Sequence, residues 1–157
     1  MKKLLAAAAA ALSLAACVSI EANEAPAAAA PSQTEVTRGI VTPFSDLFCN
    51  QGKVREAFMT HVAPGYIQHN PVAADGRDTA IAALEGFRAA SPQMTCEVKR
   101  IIVDGNLAAV HSHVKPTPEH RGFAVVDILR VENGMIVEHW DVIQPVPETS
   151  RNNNTMF

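Results

Sequence analysis

The spacing of apolar side chains changes once along this chain, at Pro92, and that change demands helices first and a sheet after them. Before it, Ile40, Val41, Phe44, Leu47 and Phe48 recur at helical spacing, and Val54, Ala57, Phe58 and Val62 repeat the pattern until Pro64-Gly65 interrupts it. Pro43 is expected near a first helical turn, where a missing N–H leaves no bond unmade. Asp75-Gly76 opens a third segment, whose Ala80, Ile81, Leu84 and Phe87 share one face until Ser91-Pro92 ends it. Beyond Pro92 the period falls to two, which predicts strands over 94–103, 107–115, 122–131 and 136–146, with turns at Asp104-Gly105 and Asn133-Gly134. Helices followed by a four-strand meander imply an α+β domain with a curved antiparallel sheet wrapped over the helices.

The chain opens with a positive start, Met1-Lys2-Lys3, and an apolar run from Leu4 to Leu14 that is too short to span a bilayer. Leu14-Ala15-Ala16-Cys17 follows and resembles the lipobox of bacterial lipoproteins. That resemblance implies a signal peptide over 1–16, acyl chains on Cys17 after cleavage, and an exported domain anchored to a membrane by lipid. Two or three acyl chains suffice for stable attachment. The alternative is an ordinary secretory signal cut elsewhere, which also exports the domain. Ser19 stands where the family's inner-membrane retention signal would place Asp, so the expected location is the periplasmic side of an outer membrane where the cell has two. Residues 17–35 are Ala/Pro-rich and read as a tether, which leaves 36–157 as one domain with one core.

Assigning Cys17 to lipid leaves Cys49 and Cys96, either as a disulfide in an oxidising compartment or as two separately buried thiols. The chain has 13 Lys and Arg against 16 Asp and Glu; losing Lys2 and Lys3 with the signal leaves 11 against 16, a net charge of −5. A modestly acidic domain has no electrostatic reason to bind nucleic acid or anionic lipid, and a small neutral or weakly polar ligand suits it better.

Two blocks carry a second resemblance. Tyr66-Ile67-Gln68-His69-Asn70-Pro71, followed by a helix led by Gly76, and Val126 to Gly134 with Ile136-Val137-Glu138-His139-Trp140-Asp141, resemble the SnoaL-like polyketide cyclase group of the nuclear transport factor 2 superfamily. The resemblance implies a conical α+β barrel with a deep pocket between sheet and helices, and a ring closure by intramolecular aldol condensation without a cofactor. The same fold hosts isomerases, dehydratases, hydrolases and non-catalytic binders, so shape is better specified than reaction. Dimers through the outer sheet face are common in the family, so a homodimer is an expectation here too.

Within that frame, Phe123, Val125, Asp127 and Leu129 share one strand face, and a carboxylate inside an apolar cone suits proton transfer at a carbonyl compound. Asp127 is the expected general acid/base, and His139, Asp141 and His113 complete the expected catalytic set. Whether Asp127 meets His139 depends on the Asn133-Gly134 turn. A two-residue primed turn sets Asp127 against Trp140, whereas a type I turn with Gly134 in a bulge sets Asp127 against His139, and the bulge is the preferred reading because it gathers the polar groups. Tyr66, His69, Asn70, His111 and Trp140 are the expected substrate-binding residues, with His69 and Asn70 at the pocket mouth and Trp140 also readable as packing.

Two other function classes stay open. One is a non-catalytic exported binding module. The other is a metal protein, since His111-x-His113 with Glu119 nearby is similar to a cupin ligand set, although the spacing is imperfect and the second cupin motif is absent. The expected set therefore includes no metal and no cofactor. On the lipoprotein reading, Cys17→Ser should leave an exported protein that no longer sediments with membranes. Retention of Cys17→Ser in the membrane fraction after a salt wash would remove that reading.

Overall fold

The structure is a computed structural model and describes residues 29–157. The signal, Cys17 and most of the tether lie outside the described residues. Helix α1 spans Gln33–Ser45 and so begins within the last residues of the segment read as tether. Its start is set by a capping box: Ser32 accepts from the Glu35 N–H while the Glu35 carboxylate accepts from the Ser32 N–H. Thr37, Val41, Phe44 and Ser45 form its buried stripe.

Pro43 lies in the last turn of α1 rather than near a first turn. The helix starts ten residues ahead of Pro43 because the capping box precedes the apolar pattern. Just beyond it the backbone widens into a π turn over Asp46–Asn50, closed by the Gln51 N–H donating to the Asp46 carbonyl at 3.0 Å. Helix α2 spans Val54–His61 and α3 spans Arg77–Ala90. Phe44, Phe58, Val62, Ile81, Val131 and Ile136 are among the side chains that close the core between helices and sheet.

Strand β1 spans Val62–Gln68, where sequence patterning placed only a break at Pro64-Gly65. It pairs in parallel with the last strand at the edge of the sheet, and its register slips between Val62 and Ile67. An edge position with an irregularity tolerates Pro64, which cannot donate to a ladder. The other strands are β2 (Thr95–Asp104), β3 (Leu107–Lys115), β4 (Phe123–Glu132) and β5 (Met135–Pro145), close to their expected limits. Their order is β1-β5-β4-β3-β2, a curved, unclosed five-stranded sheet with the helices against one face.

The β4–β5 connection corrects the expected register. Asn133 and Gly134 both have positive φ, 50° and 75°, as a two-residue primed turn requires, so Glu132 pairs with Met135 and Val131 with Ile136. The extra residue comes later: Arg130 pairs with Glu138, which leaves Val137 as a bulge inside β5. Asp127 consequently lies directly opposite Asp141, not opposite His139, and His139 is its diagonal neighbour on the same face. The expected face is right because turn and bulge together shift the pairing by two residues, which preserves side-chain parity.

Cys49 and Cys96 form a disulfide that ties the π turn to β2, with Cα atoms 4.9 Å apart and a sequence separation of 47. Closing a loop of that length in the unfolded chain corresponds to roughly 4 kcal/mol in the chain-entropy estimate. The double variant Cys49→Ser/Cys96→Ser should therefore lose about 2–4 kcal/mol in urea unfolding. An unchanged midpoint would show that the cross-link contributes nothing to stability.

Candidate functional site

A cavity of about 480 Å³ opens between the helical layer and the concave face of the sheet. Its walls are largely apolar, with Phe48, Phe58, Leu84 and Phe87 from the helices and Val110 and Leu129 from the sheet. The polar groups gather on one side, where β1 and the turn after it meet β5 and β4. That volume falls within the range of small-molecule sites.

His139 organises this polar side. It is 9% exposed, and both of its ring nitrogens are engaged. Nδ1 lies 2.7 Å from the Gln68 Oε1 atom, which also accepts the Asn70 backbone N–H at 2.9 Å. An oxygen that already accepts one N–H can meet Nδ1 only as an acceptor, so the imidazole carries a proton on Nδ1 and donates it to Gln68. Nε2 is thereby turned to Asp127, 2.9 Å from Oδ1. One proton must lie between Nε2 and Oδ1, on the ring or on the carboxyl, for that contact to be a hydrogen bond.

The neighbours fix the rest. Gln68 donates from Nε2 toward the Tyr66 hydroxyl at 3.4 Å, and its backbone N–H donates to Asp75 at 2.8 Å. Asn70 donates from Nδ2 to Asp141 Oδ2 at 2.7 Å while its Oδ1 accepts the Val72 N–H at 3.0 Å, so the amide cannot turn without breaking both bonds. The Tyr66 ring lies over His139 with 6.2 Å between centroids. Burial, with the nearby Asp127 charge second, pushes the Tyr66 hydroxyl far above its ordinary range, so it remains protonated across the physiological span.

Of the expected catalytic set, Asp127, His139 and Asp141 converge on this cavity, and of the expected binding set Tyr66 and Asn70 do so as well. The other four lie elsewhere. Ala108, Val110 and Ser112 are the buried row of β3, which turns His111 and His113 to the opposite face of the sheet. There both rings stack on Phe157, at 5.6 and 4.2 Å between centroids, and His113 donates from Nε2 to the Arg121 carbonyl at 2.8 Å. Gly122, at φ 90°, lets the chain pass so close that an added Cβ would lie 2.6 Å from the His113 ring. Trp140 pairs with Ile128 on that outer face, and His69 stacks on it at 4.7 Å while bonding Glu138 at 2.8 Å. These four residues are corrected from site to surface: the larger polar rings occupy the outer face, and the small residues of β3 face the helices.

Ser45, Gln68 and Ser112 are the lining polar residues that the sequence does not mark as site residues. Gln68 sits inside the quoted Gln-His-Asn-Pro block, and its β1 pairing with His139 would have marked it, but β1 was not foreseen. Among the described residues, the grouping of three potential metal ligands is Asp127, His139 and Asp141, with ligand atoms within 4.8 Å of one another. One imidazole nitrogen and two carboxylates suit a divalent cation, which would have to displace the His139–Asp127 hydrogen bond.

No curated protein matches the sequence significantly. Among solved structures, a nuclear transport factor 2-like protein of unknown function from Mesorhizobium loti aligns at TM-score 0.61 and 21% identity, covering 74% of this chain and 97% of that one. A candidate ketosteroid isomerase from Kribbella flavida aligns at TM-score 0.62 and 19% identity, over 80% and 90% of the two chains. A candidate polyketide cyclase from Bacillus cereus aligns at TM-score 0.59 and 24% identity, over 72% and 78%. At these identities the likeness concerns the fold. The family profile of the SnoaL-like domain matches residues 41–139, a span that runs from the buried stripe of α1 through His139, and on that match the chain belongs to the SnoaL-like domain family.

Proposed function

We propose that this domain is a cofactor-free acid/base enzyme acting on a small hydrophobic, carbonyl-bearing molecule, of the aldol cyclase, isomerase or hydrolase type, exported and held to a membrane through Cys17. The observation that carries the catalytic part is the Gln68–His139–Asp127 line at the polar side of an apolar cavity. Gln68 holds the imidazole in one tautomer, so proton exchange is confined to the Nε2–Oδ1 contact. With the shared proton resting on His139 Nε2, the Asp127 carboxylate takes a proton from the carbon beside a carbonyl and gives it back when the product forms. Tyr66, kept protonated, donates to the oxygen on which negative charge develops, an arrangement that stabilises an enolate without a metal. Asp141 is clamped by Asn70 and shapes the same corner. Both candidate activities named for the structural neighbours, ketosteroid isomerisation and polyketide cyclisation, are carbonyl chemistry that this pattern can serve.

The Asp127–His139–Asp141 grouping favours one rival, a divalent metal centre. The remaining rival is a binding module without turnover. Enolisation can be tested without the physiological substrate, through deuterium incorporation beside the carbonyl of 2-tetralone in D₂O, followed by NMR. The wild type should accelerate exchange over buffer, and Asp127→Asn should lower that acceleration by about 10²–10⁴ while leaving ketone affinity within a few-fold. Exchange no faster than buffer with the wild type would make the domain a binder.

The metal rival is tested separately by elemental analysis and chelation. Activity should survive EDTA, and a purified sample should hold no stoichiometric transition metal. About one metal per chain, lost together with activity on EDTA treatment and absent from His139→Ala, would replace the acid/base account with a metal centre.

A further inference from the structure

We propose that Ser112 is the second hydrogen-bonding anchor of the cavity, positioning a ligand that carries two oxygen atoms on one ring; this rests on the corner formed by Tyr66, Asp127 and His139 receiving the first oxygen. Ser112 is 2% exposed and lines the cavity wall. Its hydroxyl makes no hydrogen bond to a described residue; the Ser45 hydroxyl also lacks a partner, but that atom is fully buried although its residue lines the same cavity. A buried hydroxyl that faces a cavity and has no protein partner is completed by whatever fills the cavity.

Its position defines what that filling must look like. On neighbouring strands Val110 pairs with Asp127 and Ser112 with Val125, so Ser112 and Asp127 are diagonal neighbours on one face. Diagonal neighbours lie roughly 7–8 Å apart, with their side chains rising side by side. The residues that complete this quartet, Val110 and Val125, are apolar. Two ligand oxygens must then sit on one ring with an apolar edge between them, and a meta relation meets that spacing. A ligand with a single oxygen at the Tyr66–Asp127 corner leaves Ser112 unpaired. Ser112 is therefore a positioning residue, which selects the substrate and its orientation while Asp127 and His139 handle the proton.

Naphthalene-1,3-diol and naphthalen-1-ol separate these roles in calorimetric titrations of the full chain. The wild type should bind the diol about tenfold more tightly than the mono-ol, the effect of one hydrogen bond to a buried group. Ser112→Ala should erase that preference by weakening the diol alone, and should leave the melting temperature unchanged because no protein partner is lost. Ser112→Thr, which retains a hydroxyl, should keep part of the preference. No preference in the wild type, equal losses for both probes in Ser112→Ala, or no measurable diol binding each overturns the proposal. Asp127→Ala supplies the separate arm: it should weaken both probes, and if it does not while Ser112→Ala still removes the diol preference, the reading of Asp127 fails and that of Ser112 stands.

Discussion

The arrangement of the site depends on one extra residue, Val137, in the last strand. Strand β5 is the hinge of the sheet, paired with β4 on one side and with the parallel edge strand β1 on the other. A primed two-residue turn alone would set Asp127 against Trp140 and send His139 to the outer surface. The bulge at Val137 restores parity, so Asp127, His139 and Asp141 all face the cavity. β1 then lies where Gln68 faces His139, and the His69 N–H donates to the His139 carbonyl at 3.0 Å.

A polar cluster in an apolar cone is tolerable only when its members satisfy one another, because an unpaired buried polar group costs about 1–3 kcal/mol and an unpaired charge more. Here the accounting is nearly complete. Gln68 serves His139, Asn70 serves Asp141, and His139 serves Asp127. Removing Gln68 would therefore release the imidazole to turn, which disturbs Asp127 without touching it. The aromatic wall on the other side, where Phe44, Phe48 and Phe58 pack with centroids 5.4 to 5.9 Å apart, gives the same space an apolar lining. The outer face carries a separate polar ladder in which Glu138 joins Arg130 to His69. That separation keeps Glu138 out of the cavity, so that Asp141 is the carboxylate β5 contributes to it.

How much of this was legible in the sequence follows from what each signal depends on. The helices and four of the strands were readable because apolar periodicity is local, and Asp127 was readable as interior because Val125 and Leu129 flank it on one face. The edge strand was not, because Pro64-Gly65 is a strong breaker in isolation and only the pairing with β5 overrides it. The turn chemistry pointed both ways: Asn133-Gly134 is the favoured primed-turn pair, and a bulge three residues on leaves no mark in composition. His111 and His113 misled because two imidazoles at alternate positions look like a site. The plainer row of Ala108, Val110 and Ser112 is the one that suits close packing under helices. Whether Cys49 and Cys96 meet depended on distant elements and could only be left open.

The central claim is that Gln68 fixes the His139 tautomer so that Nε2 and Asp127 share a proton at the cavity wall. Long-range ¹H–¹⁵N spectra of the labelled protein measure this directly. The account predicts that His139 carries its proton on Nδ1, in a slowly exchanging hydrogen bond that Gln68→Leu abolishes. A neutral ring protonated on Nε2 alone, with a bare Nδ1, would contradict it.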